Sequence, residues 1–355
     1  MAQRTASSSA PASPASPAST AGRSRDIGID LGTANTLVYA RGRGVILDEP
    51  SVVAIDSRSG KVLAVGTEAR EAVGRTPGSI TATRPLKGGV ITDFEATEGM
   101  LRHFIRAARG GSRGVKALGG GRSPRVVVCV PSGVTGVERR AVLQTASRAG
   151  ARSVRLIEEP MAAAIGAGLP VHEARGSMVV DIGGGSTEIA LISLGGIVAS
   201  RSVRIAGDAM DAAIAAYVDR QYAMEVGERT AEDIKMSLGG DAPVQVRGRD
   251  KHTGMPKVVD LAREEILTAV DRPVRAVVDA VLGAFDDCPP ELYGDIMERG
   301  IVLTGGGALL DGLDDRLIRE TGMPVLVAEE PLGCVAQGTG RCLEEYDKLD
   351  TVFAA

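Results

Sequence analysis

One pattern constrains this chain more than any other. An acid ends an apolar, strand-like run; glycine and small hydroxyl residues follow; then a second apolar run begins. In one copy Met178-Val179-Val180-Asp181-Ile182 leads into Gly183-Gly184-Gly185-Ser186-Thr187, and Glu188-Ile189-Ala190-Leu191-Ile192 resumes the apolar run. Strand, tight glycine turn and strand predict a hairpin. Consecutive glycines let a backbone approach a ligand closely and aim successive N–H groups at one anion. An acid there would repel a phosphate, so Asp181 makes sense with a divalent cation between them. Magnesium suits, because it keeps most of its waters and binds through one or two carboxylates plus phosphates.

The pattern occurs twice. Ile27 and Ile29 alternate into Asp30-Leu31-Gly32-Thr33-Ala34-Asn35-Thr36, and Leu37-Val38-Tyr39 follows. Two such hairpins, far apart in the chain, predict two similar lobes that face each other across a phosphate. A third glycine element, Ile301-Val302-Leu303-Thr304-Gly305-Gly306-Gly307-Ala308-Leu309-Leu310, runs from strand to helix. Glycines there permit close approach of a flat ligand near a helix N-terminus.

A chain of 355 residues exceeds one ordinary core. Its 44% hydrophobic and 24% charged residues are those of a globular protein. A net charge of −4, 3% aromatics and no Trp argue against nucleic acid and base stacking. Cys129, Cys288, Cys334 and Cys342 form no CxxC pair or metal spacing, which predicts reduced thiols in a cytoplasmic protein. No apolar run reaches the roughly 18 residues of a membrane span.

Residues 1–25 are Ala, Ser, Pro and Thr with three arginines and no acid, a composition that predicts a disordered tail. It lacks the apolar core of a secretory signal and the large residues of an amphipathic anchor. The stretch from Arg109 to Arg122 is basic and rich in glycine: a surface loop, or a contact with an anionic surface. Val126 to Val130 reads as a buried parallel strand. Beyond it, Thr135 and Glu138 have capping-box spacing at the start of a helix. Glu138 is therefore either a structural cap or a cleft-facing carboxylate that orients a water, since open α/β sheets bind ligands beyond their strands' C-terminal ends. Met161 to Gly168 and Pro331 to Gly340 predict helices of small residues that pack closely against a neighbour. Thr230 is the expected N-cap of a helix in which Glu232 and Lys235 share one side, as a solvated pair or a ribose or base contact.

In this order, the elements resemble the actin, Hsp70 and sugar-kinase superfamily, and within it the MreB/Mbl family of bacterial actin homologues. The stretches that carry the resemblance are Asp26-Ile27-Gly28-Ile29-Asp30-Leu31-Gly32-Thr33-Ala34-Asn35-Thr36, Arg84-Pro85-Leu86-Lys87-Gly88-Gly89-Val90-Ile91 and Glu158-Glu159-Pro160-Met161-Ala162-Ala163-Ala164. Asp181 to Glu188 and Leu303 to Gly307 add to them, and the likeness extends from Asp26 to Glu345.

The resemblance implies an α/β actin-like ATPase fold: two similar lobes around a nucleotide cleft, each an RNase H-like mixed sheet with helices on both faces. The first lobe would span 26–150 plus 325–355, with a small subdomain inserted at about 43–85. The second would span 151–324, with one at about 206–258. It further implies an ATPase of weak turnover that polymerises with itself at the cytoplasmic face of the membrane and organises cell-wall synthesis alongside membrane-bound proteins. Asp30 and Asp181 would hold hydrated Mg²⁺, Glu138 would orient the attacking water, and Thr187 would lie near the γ-phosphate of ATP. Backbone from Gly32 through Thr33 and Ala34 to Asn35, and from Gly183 through Gly184 to Gly185, would cradle the phosphates. Glu232, Asp233, Ile234 and Lys235 would frame ribose and adenine with Gly305, Gly306, Gly307 and Ala308. The chain departs from the family pattern after Lys235-Met236, where Ser237-Leu238-Gly239 replaces an acid-Ile-Gly sequence, and in its longer basic loop. A scaffold of this fold with little turnover, and a small-molecule kinase, are the alternative readings.

Overall fold

The computed structural model describes residues 26–108, 123–240, 242–345 and 352–354. The tail 1–25 and the basic stretch from Arg109 to Arg122 lie outside them.

Two sheets share one plan. In the first, Ile27–Leu31, Asn35–Ala40 and Gly44–Pro50 run antiparallel in sequence, and Arg125–Val130 then Ser153–Glu158 add in parallel on the other side of Ile27–Leu31. Phe353–Ala354 closes the edge. In the second, Ser177–Ile182, Thr187–Ser193 and Gly196–Val203 form the antiparallel run, followed by Ile301–Thr304 and Val325–Val327 in parallel. Both expected hairpins are present, with Asp30 and Asp181 near the ends of the two central strands.

The expected lobe boundaries at 150 and 324 do not hold. Ser153–Glu158 returns to the first sheet through the helix Gly136–Arg148, and Val325–Val327 returns to the second through Leu313–Thr321. A strand–helix–strand crossover brings the chain back beside the strand it left, so each sheet extends one strand further than expected. The small subdomains also shift. Gly44–Pro50 stays in the main sheet, so the first small sheet is Val53–Asp56, Val62–Val65 and Ile80–Thr83. The second comprises Met224–Glu225, Val244–Asp250 and Pro256–Leu261, beyond the expected limit at 258.

Each sheet has its own core, and a third lies between them. Val127, Cys129 and Ile157 of the first sheet meet Val179, Ala190 and Ile192 of the second through the helices Glu159–Gly166 and Cys334–Glu344. The small residues of these helices are there for their crossing. A Cβ on Gly166 would lie 1.8 Å from Cys334 O, and one on Gly338 would lie 1.9 Å from Ala162 O. Only glycine lets the two backbones touch at both points.

Two local expectations change. Gly227, not Thr230, caps the helix Glu228–Met236. The third glycine element enters a short 3₁₀ turn, Gly306–Leu309, and the α-helix begins only at Leu313 after Gly312.

Candidate nucleotide site

The two hairpin turns meet across the cleft. A Cβ on Gly184 would lie 2.7 Å from Ala34 Cβ, and one on Gly185 would lie 2.6 Å from Thr33 Oγ1. Thr33 Oγ1 also accepts a hydrogen bond from Gly89 N–H at 2.9 Å. The first turn is braced from behind, since Ser51 Oγ donates to Gly32 O at 2.6 Å and Asn35 Nδ2 donates to Asp48 at 2.8 Å. The second turn is braced by the start of the helix Gly207–Tyr222, where Asp208 N–H donates to Gly184 O at 2.7 Å. Thr187 is buried, and its hydroxyl donates to Ile205 O at 2.7 Å.

Beneath the turns, carboxyl groups from both lobes share one buried cluster. Burial, then the charge of Asp181, pushes Asp30 up to about 7. Burial pushes Asp181 up to about 6, against the hydroxyl of Thr304, which donates to its Oδ1 at 2.7 Å. Burial and the charges of Asp181 and Asp30 push Glu159 well above the usual carboxylate range. Burial pushes Glu188 up to about 7; it accepts from Ser202 Oγ at 2.6 Å and, across the lobes, from Ser132 N–H at 3.1 Å. No Lys or Arg is among the groups that set these four values. Carboxylates packed together without a counter-charge suit a cation, whose arrival would let them ionise. Among the described residues no cluster of three or more His, Cys, Asp or Glu side chains is arranged to ligate a metal directly. An ion held through its waters fits this donor set.

Glu138 lies apart from the cluster. Its carboxylate completes the capping box, accepting from Thr135 N–H at 2.7 Å and Thr135 Oγ1 at 2.8 Å. Those two donors hold its pKa below the usual range, helped by the charge of Arg204 from the other lobe.

Toward the cleft mouth the expected base and ribose residues divide. Ile234 is buried in the second core and Asp233 is exposed. Lys235 pairs with Asp211 at 2.8 Å, and Glu232 pairs at 2.6 Å with Arg70 of the opposite small subdomain. Arg84 and Asp208, 3.2 Å apart, make a second ion pair across the cleft. A Cβ on Gly305 or Gly307 would strike Ile182 at 2.4 or 2.2 Å, so those glycines pack the third element against the strand that carries Asp181. Ala308 is buried, whereas Leu309 and Leu332, the latter over Gly306, leave exposed apolar surface beside it.

A family model described as MreB/Mbl protein matches residues 24–351. The chain belongs to the MreB/Mbl family. Cell shape-determining protein MreB of Escherichia coli (strain K12) is 56% identical over 334 residues, 91% of this chain and 94% of that protein. Cell shape-determining protein Mbl of Bacillus subtilis (strain 168) is 50% identical over 332 residues, 92% of this chain and 98% of its own. The crystal structure of MreB5 of Spiroplasma citri bound to AMPPNP superposes with a TM-score of 0.83 at 38% identity, covering 91% of this chain and 96% of that one. The MamK double helical filament, with a TM-score of 0.75 at 21% identity, shares the fold. The actin-like α/β fold implied by the resemblance is therefore the fold of this MreB/Mbl member.

Sequence reasoning missed Glu159, Glu188, Thr304 and Cys129 as members of the cluster. Glu188 carried a signal, as an acid inside an apolar strand run. Glu159 carried a weaker one, as the second of two acids before Pro160 at a helix start.

Proposed function

We propose that this chain binds ATP with Mg²⁺ between its lobes, hydrolyses it slowly, and assembles with copies of itself into filaments. These would lie at the cytoplasmic face of the membrane and organise wall synthesis with membrane-bound proteins, in keeping with the cell shape-determining relatives. The observation that carries the nucleotide reading is the burial of Asp30 and Asp181, from opposite lobes, in one cluster of acids. Both would hold the ion through its waters; when bound, Mg²⁺ neutralises charge on the phosphates. Backbone N–H groups of the two turns cradle the phosphates, and Leu309 and Leu332 offer an apolar face to the base.

Glu138, at a helix start beyond its strand's C-terminal end, would orient the attacking water, and Glu159, beside both acids, is the second candidate. Phosphate release by the wild type, Glu138→Ala and Glu159→Ala tests this. Glu138→Ala is expected to slow release by about 100-fold. A larger loss in Glu159→Ala than in Glu138→Ala would move the water to Glu159. Negligible release by the wild type with intact ATP binding would leave the scaffold. Electron microscopy with and without ATP and lipid vesicles tests assembly and the membrane.

A further inference from the structure

The two acids are held by donors at matching positions of the duplicated fold. In the second lobe Asp181 lies in register with Thr304 on the neighbouring parallel strand, and Thr304 Oγ1 donates to Asp181 Oδ1 at 2.7 Å. In the first lobe the parallel register runs Ile27 to Val126, Gly28 to Val127 and Ile29 to Val128. One step further along, Cys129 Sγ–H donates to Asp30 Oδ1 at 3.3 Å. Both donors are buried. Their neighbours on the same strands, Val126, Val127, Val128 and Val130 in one and Ile301, Val302 and Leu303 in the other, are all aliphatic. Packing alone would place another branched aliphatic at each position. Instead each strand puts a hydrogen-bond donor opposite the acid.

We propose that Cys129 and Thr304 are a matched pair of positioning residues for the nucleotide's Mg²⁺. Each clamps Oδ1 of its own lobe's acid, so the carboxylate is oriented before the ion arrives and its other oxygen is left to the ion's waters. Outer partners of this kind orient the groups that hold a metal and tune its affinity. The thiol is the weaker donor, so the first lobe holds its acid less firmly than the second. This rests on the Mg²⁺–nucleotide reading above, and the test separates the two.

A fluorescent ADP analogue is titrated onto the full-length protein in EDTA and in Mg²⁺, and the ratio of the two dissociation constants isolates the ion's contribution. Cys129→Ala is expected to lower that ratio about fivefold and Cys129→Ser to keep it within about twofold of wild type. Thr304→Val should lower it by about tenfold or more, with Thr304→Ser close to wild type. A purely packing role would weaken binding equally in EDTA and Mg²⁺ and leave the ratio unchanged, which overturns the proposal. If an apolar variant fails to fold, the S–H stretching band of Cys129, assigned by its absence in Cys129→Ser, decides. The band should shift on adding Mg²⁺–ADP but not ADP in EDTA; an unmoved band overturns the proposal. A wild type that binds ADP without any Mg²⁺ dependence removes the underlying reading as well. A wild type with Mg²⁺ dependence that all four variants retain removes only this inference.

Discussion

The first lobe holds Asp30 with the thiol of Cys129, whereas the second holds Asp181 with the hydroxyl of Thr304, and Glu159 lies beside it. The sheets around the two acids follow the same plan, and both acids are buried. Burial pushes both up, Asp30 to about 7 and Asp181 to about 6. The charge of Asp181 adds to the rise at Asp30, and the Thr304 hydroxyl opposes the rise at Asp181. Glu159 adds a second difference. It opens one of the two crossing helices between the lobes, and its carboxyl group lies beside Asp181. In this duplicated fold, the first acid has the weaker donor and the second lies beside the opening of a joint helix.

The largest effect that tests this difference is on stability against pH, without nucleotide or metal. Asp30, Asp181 and Glu188 have folded values raised above their unfolded ones. Between the ordinary carboxylate pKa of about 4 and the folded values, the native protein binds more protons than the unfolded chain. Stability is therefore highest at the acid end of that window and falls as pH rises through the folded values. A Tm series from pH 5 to 8 in EDTA should fall, with a total change on the order of a few kcal/mol, and Mg²⁺–ADP should flatten it. A flat series in EDTA would mean that the acids are already neutralised.

Asparagine substitutions sharpen the comparison at single sites. Asp30→Asn should stabilise the metal-free protein at pH 8 by about 2 kcal/mol, and Asp181→Asn by less, because Asp181 gives up better donors. Both should lose the response of Tm to Mg²⁺–ADP. Denaturant unfolding checks the order, and a larger gain for Asp181→Asn would reverse the comparison.

The smallest effect lies at the mouth, where the small subdomains meet. Arg70 and Glu232 are partly exposed, and such pairs contribute about 0–1 kcal/mol. Arg70→Ala should speed release of bound ADP about two- to threefold and leave Tm nearly unchanged. Stopped-flow release measures it. Slower release would show that Arg70 competes with the nucleotide for Glu232 instead of closing the cleft over it.

Much of the fold was legible because it is written in neighbouring residues. Acid, glycines and flanking apolar runs specify each hairpin through turn chemistry and strand alternation, and repetition of the pattern indicated two lobes. The small-residue helices were legible as close-packing surfaces for the same reason. What touches Asp30 and Asp181 was not. Cys129 lies 99 residues from Asp30, Thr304 lies 123 from Asp181, and Glu188 meets Ser132 across 56. Glu138 advertised itself through a local capping motif, which it completes.

By itself, the sequence determined two acid-bearing turns, the glycines that let them approach a ligand and each other, and a family likeness spanning nearly the whole chain. Only the tertiary structure decided where each lobe ends, because a crossover returns its last strand to the sheet it left. Only the tertiary structure, too, brought Glu159 beside the two acids and gave Cys129 a partner. A carboxyl group's ionisation depends on how much water is removed and which charges and donors replace it, and the folded chain supplies those from distant segments.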